Sequence, residues 1–106
     1  MSTEALLVMT SCPDEPTAQR IAHELVEAGL AGCVSRLGPM RSTFRWQGVV
    51  QEEPEVLLLI KTLAHRLADL KTRLKSIHPY DVPEILALRV EDGSREYLAW
   101  LSSTVS

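Results

Sequence analysis

Val56-Leu57-Leu58-Leu59-Ile60 is an unbroken apolar run. A strand with one wet face alternates apolar and polar residues, so a run without alternation belongs to a strand covered on both faces. Upstream of it, Glu52-Glu53-Pro54 reads as a turn. Downstream, Thr62 reads as the cap of a helix that carries Leu63, Leu67, Leu70, Leu74 and Ile77 on one stripe. Lys71, Arg73 and Lys75 fall in its later turns, where cations complement the helix dipole. His78-Pro79 ends it, because a residue before proline avoids the helical region.

Further upstream, Met40, Ser42, Phe44 and Trp46 alternate with Arg41, Thr43 and Arg45, the pattern of an amphipathic strand. It continues the strand of Leu30–Leu37 across a bulge or bend at Gly38-Pro39, and Gly48 marks a second irregularity. Ala18, Ile21, Ala22, Leu25 and Val26 form the apolar stripe of a first helix. Ser11 or Cys12 is its expected cap, Pro13 its first residue and Gly29 its stop. Ala5–Met9 is a short buried strand. On the other side, Tyr80-Asp81-Val82-Pro83 is a loop, Ile85–Val90 a fourth strand, and Arg95–Leu101 a short last helix capped by Ser94.

The order β-α-β-β-α-β plus a terminal helix predicts an α+β chain with the ferredoxin-like βαββαβ antiparallel sheet and an additional C-terminal helix. Two helices then cover one sheet face. Leaving the other face of Val56–Ile60 wet forfeits roughly 1.5–3 kcal/mol per side chain. Tyr97, Trp100 and Leu101 on the last helix could cover part of it, and identical chains in a closed symmetric assembly the rest.

With 106 residues, 45% apolar, the chain is expected to form one domain, 1–106. Its net charge of −3 and its small basic group Arg36, Arg41 and Arg45 argue against nucleic acid as a partner. No stretch has the length of a membrane span, and Met1–Thr10 lacks the basic start of a signal peptide. Cys12 and Cys33 match no redox or zinc spacing, so a cytoplasmic location with reduced thiols is expected. No Gly-rich phosphate loop, G-x-S-x-G or H-E-x-x-H is present, so the chain reads as a non-enzyme. Acylphosphatase shares this topology but needs an arginine after the first strand, where Ser11-Cys12-Pro13-Asp14 has none. RNA-recognition domains display aromatics on the third strand, here V-L-L-L-I.

Pro13-Asp14-Glu15, Ala31-Gly32-Cys33-Val34, Phe44-Arg45-Trp46-Gln47-Gly48, Glu55 to Thr62, His78-Pro79-Tyr80-Asp81-Val82-Pro83-Glu84 and Tyr97-Leu98-Ala99-Trp100 together resemble the CutA divalent-cation-tolerance family, from about Leu6 to Leu101. The resemblance implies a ferredoxin-like, PII-like homotrimer whose three sheets face one another. It implies a role in tolerance of copper and other divalent cations, no assigned reaction and no required cofactor, with copper or another divalent cation as the possible ligand. The alternative it leaves open is a PII-like signalling or scaffold trimer that binds a small metabolite or partner protein between subunits.

Through this resemblance Cys33 and His78 are the candidate metal ligands, since thiolate suits Cu(I) and imidazole suits copper or zinc. Against that stand a buried core role for Cys33 and a loop-fixing role for His78. Some bacterial members add a cysteine and a histidine at positions held here by Thr10 and Ile77. Trp46, Lys61, Tyr80 and Glu84 match positions that line the inter-subunit cleft. Lys61 ends a buried strand and needs a carboxylate or a ligand, with Glu84 one possible partner. His23 and His65 read as exposed helix residues.

Overall fold

The structure, a computed structural model, describes residues 3–106; Met1 and Ser2, with the parts of the domain and N-terminal readings that fall on them, lie outside the described residues. Strand β1 (Ala5–Cys12) leads into helix α1 (Glu15–Glu27), and strands β2 (Cys33–Trp46) and β3 (Val49–Leu63) form a long hairpin. Helix α2 (Leu67–Ile77), strand β4 (Leu86–Arg89) and helix α3 (Arg95–Thr104) complete the chain. The four strands form one antiparallel sheet in the order β2-β3-β1-β4. This is the expected ferredoxin-like order.

Local chemistry sets the boundaries. Asp14, not Ser11 or Cys12, caps α1: its Oδ1 accepts from the Thr17 amide at 2.9 Å, and Pro16 rather than Pro13 sits in the first turn. Asp14 thereby fills one of the amides that the helix start leaves unpaired. At the other end Gly29 takes φ 74°, the Leu30 amide reaches back to the Leu25 carbonyl and the Gly29 amide to that of Val26. These two bonds are a Schellman stop, which needs a left-handed residue after the helix.

The turn between β2 and β3 lies at Gln47-Gly48, not at Glu52-Glu53-Pro54. Gln47 and Gly48 have φ of 51° and 80°, the two successive positive values of a tight hairpin turn. Pro54 is tolerated inside β3 because β1 ends opposite Val56, so only β2 borders that stretch. The expected bulge is present, as a register shift between Leu37 and Met40. Thr62 caps nothing. It belongs to β3, pairs with Leu6, and donates its hydroxyl to the Leu30 carbonyl at 2.7 Å inside the core. A 3-10 turn, Ala64–Arg66, separates it from α2.

Alternation then sorts the sheet into two faces. Leu6, Val8, Cys12, Val56, Leu58 and Ile60 turn toward α1 and α2, where Ala18, Ile21, Leu25, Leu70 and Leu74 complete the core. Cys12 is fully buried there at the end of β1. The opposite face carries Leu7, Met9, Leu57 and Leu59, with Leu37, Leu86 and Leu88 50–54% exposed beside them. Helix α3 covers only its Ala5–Leu63 end, through Leu101 and Val105. Tyr97 and Trp100 of that helix lie tilted against each other at 5.5 Å and are 43% and 44% exposed.

Candidate functional site

Two clusters of chemistry-bearing side chains lie on or beside the open sheet face. The first is at the start of β2. Cross-strand pairing sets Cys33 opposite Lys61. The Lys61 Nζ donates to the Ser35 hydroxyl and lies 3.7 Å from the Cys33 sulfur. Lys61 thus has a neutral hydroxyl and a thiol, and among the described residues no carboxylate within 4.0 Å. The expected Lys61–Glu84 pair does not form within one chain. Tyr97 stands close enough to this group that its hydroxyl is held above its ordinary value by burial first and by Cys33 second.

The second cluster sits where β1 ends and the loop after α2 passes over β3. His78 is 8% exposed. Its Nε2 lies 2.8 Å from the Ser11 carbonyl, and its Nδ1 lies 3.1 Å from the Tyr80 amide nitrogen. A carbonyl only accepts and an amide N–H only donates. Nε2 therefore carries the proton, Nδ1 accepts, and both ring nitrogens are used inside the chain. Burial, ahead of every other influence, holds the imidazole below its ordinary value of 6.5. The ring also packs on Tyr80 at 4.8 Å.

Tyr80 turns its hydroxyl to Glu55, donating to Oε2 at 2.7 Å. Burial first and this bond second push the phenol far above its usual range, so it stays a donor. Glu55 is 8% exposed and lines a cleft of about 1030 Å³. Trp46, Tyr80 and Glu84 line the same cleft, while Lys61, Cys33 and His78 do not. Three of the four residues matched to the inter-subunit cleft thus line one cleft within a single chain.

Cys33 and His78 are not brought together within the chain. His78 binds Ser11, which pairs with Leu57, whereas Cys33 pairs with Lys61, four residues further along β3, or about 13 Å at ~3.3 Å per residue. Among the described residues no three of His, Cys, Asp or Glu stand close enough to hold a metal ion. His23 and His65 are exposed, as expected. Sequence reading missed Glu55 as a site residue. The one available signal was a carboxylate immediately before the apolar run.

The profile of the CutA1 divalent ion tolerance protein family matches residues 6–104. The chain is 50% identical over 95 residues to the divalent-cation tolerance protein CutA of Thermus thermophilus, covering 90% of this chain and 92% of that one. Against the protein of the same name from Pectobacterium atrosepticum the identity is 40% over 102 residues, 96% of this chain and 93% of that one. Among solved structures, CutA of Xylella fastidiosa superposes with a TM-score of 0.95 at 40% identity, covering 98% of this chain and 100% of that one.

Proposed function

Since the chain belongs to the CutA1 divalent ion tolerance protein family, we propose that it acts in divalent-cation tolerance as a homotrimer whose sheets cover one another. The observation that carries this reading is the bare apolar face. Leu37, Leu86 and Leu88 are each about half exposed on the side of the sheet that has no helix, next to half-buried Leu7, Met9, Leu57 and Leu59. Monomers rarely leave so continuous an apolar patch in water. A second and a third copy remove it in a closed assembly.

Metal binding is the finer part of the proposal. Cys33 supplies the soft donor, half-buried and with the Lys61 ammonium 3.7 Å from its sulfur. His78 would have to give up the Ser11 or Tyr80 bond to join it, so the remaining ligands of a Cys33 site come from neighbouring copies. Both thiols are free, which suits a reducing cytoplasm. No helix among the described residues is long and apolar enough to cross a membrane.

Native mass measurement with and without Cu(I) tests both levels together. The expected result is a trimer that takes up copper and loses that uptake in Cys33→Ala. A monomer at micromolar concentration removes the assembly, and uptake unchanged in Cys33→Ala removes the site. A second reading, a PII-like trimer that binds a small metabolite, is favoured by the cleft at Glu55, which one chain builds alone.

A further inference from the structure

Glu55, Leu57, Leu59 and Lys61 alternate along β3, so all four turn to the sheet face that carries no helix. The stripe is a carboxylate, two leucines and an ammonium. Neither charge has its opposite within its own chain. Glu55 is 8% exposed, yet among the described residues no Lys, Arg or His lies within 4.0 Å of its carboxylate. Tyr80 gives its Oε2 a neutral hydroxyl, which leaves the charge standing. Half-buried Lys61 has the Ser35 hydroxyl and the Cys33 sulfur, and among the described residues no carboxylate. The two cannot meet inside one chain, because the strand between them holds them about 20 Å apart at ~3.3 Å per residue.

Copies that cover this face take both charges further from water, so they must also bring the opposite charges. An unpaired carboxylate or ammonium is costly to bury, and buried charges are ordinarily paired. The supply is narrow. On the strands, Arg36 pairs in register with Leu58, Arg41 with Pro54, Arg45 with Val50 and Arg89 with Leu6, and all these positions turn to the other side of the sheet. Arg36 is also held by Glu15 at 2.6 Å. Among the described residues Lys61 is therefore the one strand cation on the face to be covered.

We infer that Lys61 of one copy is the counter-charge of Glu55 in the next, in a head-to-tail contact repeated around the ring. Each copy then offers its Lys61 to one neighbour and its Glu55 to the other, and a closed ring leaves neither unpaired. Oε1 is the oxygen that receives the ammonium, since Oε2 holds the Tyr80 bond. The contact brings Cys33 and Ser35 of one copy up to Tyr80 and His78 of the next, joining two clusters that a single chain keeps apart. This inference rests on the homotrimer reading and names the polar pair that gives its contacts a direction.

The test is a double-mutant cycle on assembly, read by sedimentation equilibrium of the whole protein. Lys61→Met and Glu55→Gln each leave one charge alone at every contact. Each should weaken a contact at least about tenfold, or about a thousandfold over the three contacts of a trimer. The chain carrying both substitutions should recover most of that loss, because no charge is left alone. Losses that add, or single variants that assemble like the native chain, overturn the inference. A second measurement needs no substitution. A carbodiimide condenses a touching ammonium and carboxylate to an amide, taking up the water as it becomes a urea. In co-refolded labelled and unlabelled native chains it should join Lys61 to Glu55 in peptides with one half of each isotope. Lys61 joined to a different carboxylate, or to Glu55 only within single copies, overturns the inference. A native chain that stays monomeric removes the trimer itself, and that is seen before any substitution is made. An assembled native chain with additive losses removes the pair alone.

Discussion

Leu88→Lys sets an ammonium on the bare sheet face, on edge strand β4 opposite Leu7. Leu88 is 50% exposed in the protomer, so a covering copy has about half its surface left to remove from water. Full burial of a leucine is worth about 1.5–3 kcal/mol, so the lost half is about 0.8–1.5 kcal/mol. The lysine adds the desolvation of a charge whose cross-strand neighbour is Leu7 and not a carboxylate, which brings the penalty to at least about 2 kcal/mol per subunit. Over three subunits that is about 6 kcal/mol, or roughly four decades in the dissociation constant of a trimer. Sedimentation velocity across micromolar concentrations should find the native chain assembled and the variant dissociated. Far-UV circular dichroism should match, since the substituted side chain leaves no void in the protomer. Leu88→Met, which stays apolar, should assemble as the native chain does. A Leu88→Lys protein that sediments with the native one would refute the reasoning that this face is the contact.

Other consequences follow from single groups. Thr10 is fully buried and its hydroxyl has no hydrogen-bond partner among the described residues, so Thr10→Val should stabilise the fold by about 1 kcal/mol; a lower melting temperature would contradict this. His78 is held below 6.5, so the unfolded chain binds its proton more readily than the folded one. The stability it protects is whole above pH 6.5 and is lost as pH falls through the folded value; His78→Gln should flatten that part of the pH–stability profile, and an unchanged slope would assign it elsewhere. Burial, then Glu55 and Asp14, push the Cys12 thiol up to about 11. Iodoacetamide at pH 8 should therefore spare Cys12 in the native protein and modify it only after unfolding, as peptide mass mapping would report. Modification of native Cys12 as fast as of the unfolded chain would show that the end of β1 is open.

The run from Val56 to Ile60 carried most of the architecture, because the absence of alternation states a need for cover on two sides and leaves few ways to meet it. Alternation likewise placed β2, and its bulge was legible at Gly38-Pro39. Boundaries were less legible, and for identifiable reasons. Proline suggested a turn at Pro54, but a proline costs little where a ribbon has lost its neighbour on one side, and β1 stops at Cys12. Thr62 resembles a helix cap in sequence, while its hydroxyl is spent on Leu30 across 32 positions. At the site, Tyr80, Glu84 and Trp46 line one cleft within the chain. Within the same chain, cross-strand register ties Lys61 to Cys33 and Ser35 instead. Glu55 escaped notice because only the three-dimensional passage of the 79–84 loop over β3 buries it.

Beyond Glu55 and Met40 the β2–β3 hairpin is a two-stranded ribbon, ending at the Gln47-Gly48 turn. Side chains along such a ribbon change sides at every step. Removing one cross-strand pair would swing Trp46 to the far side. Only excisions of two whole pairs, four residues together, return it to the side it shares with Glu55. The length of this arm is therefore quantised: relatives that keep an indole at the tip facing the same way can differ there only in whole increments of that size.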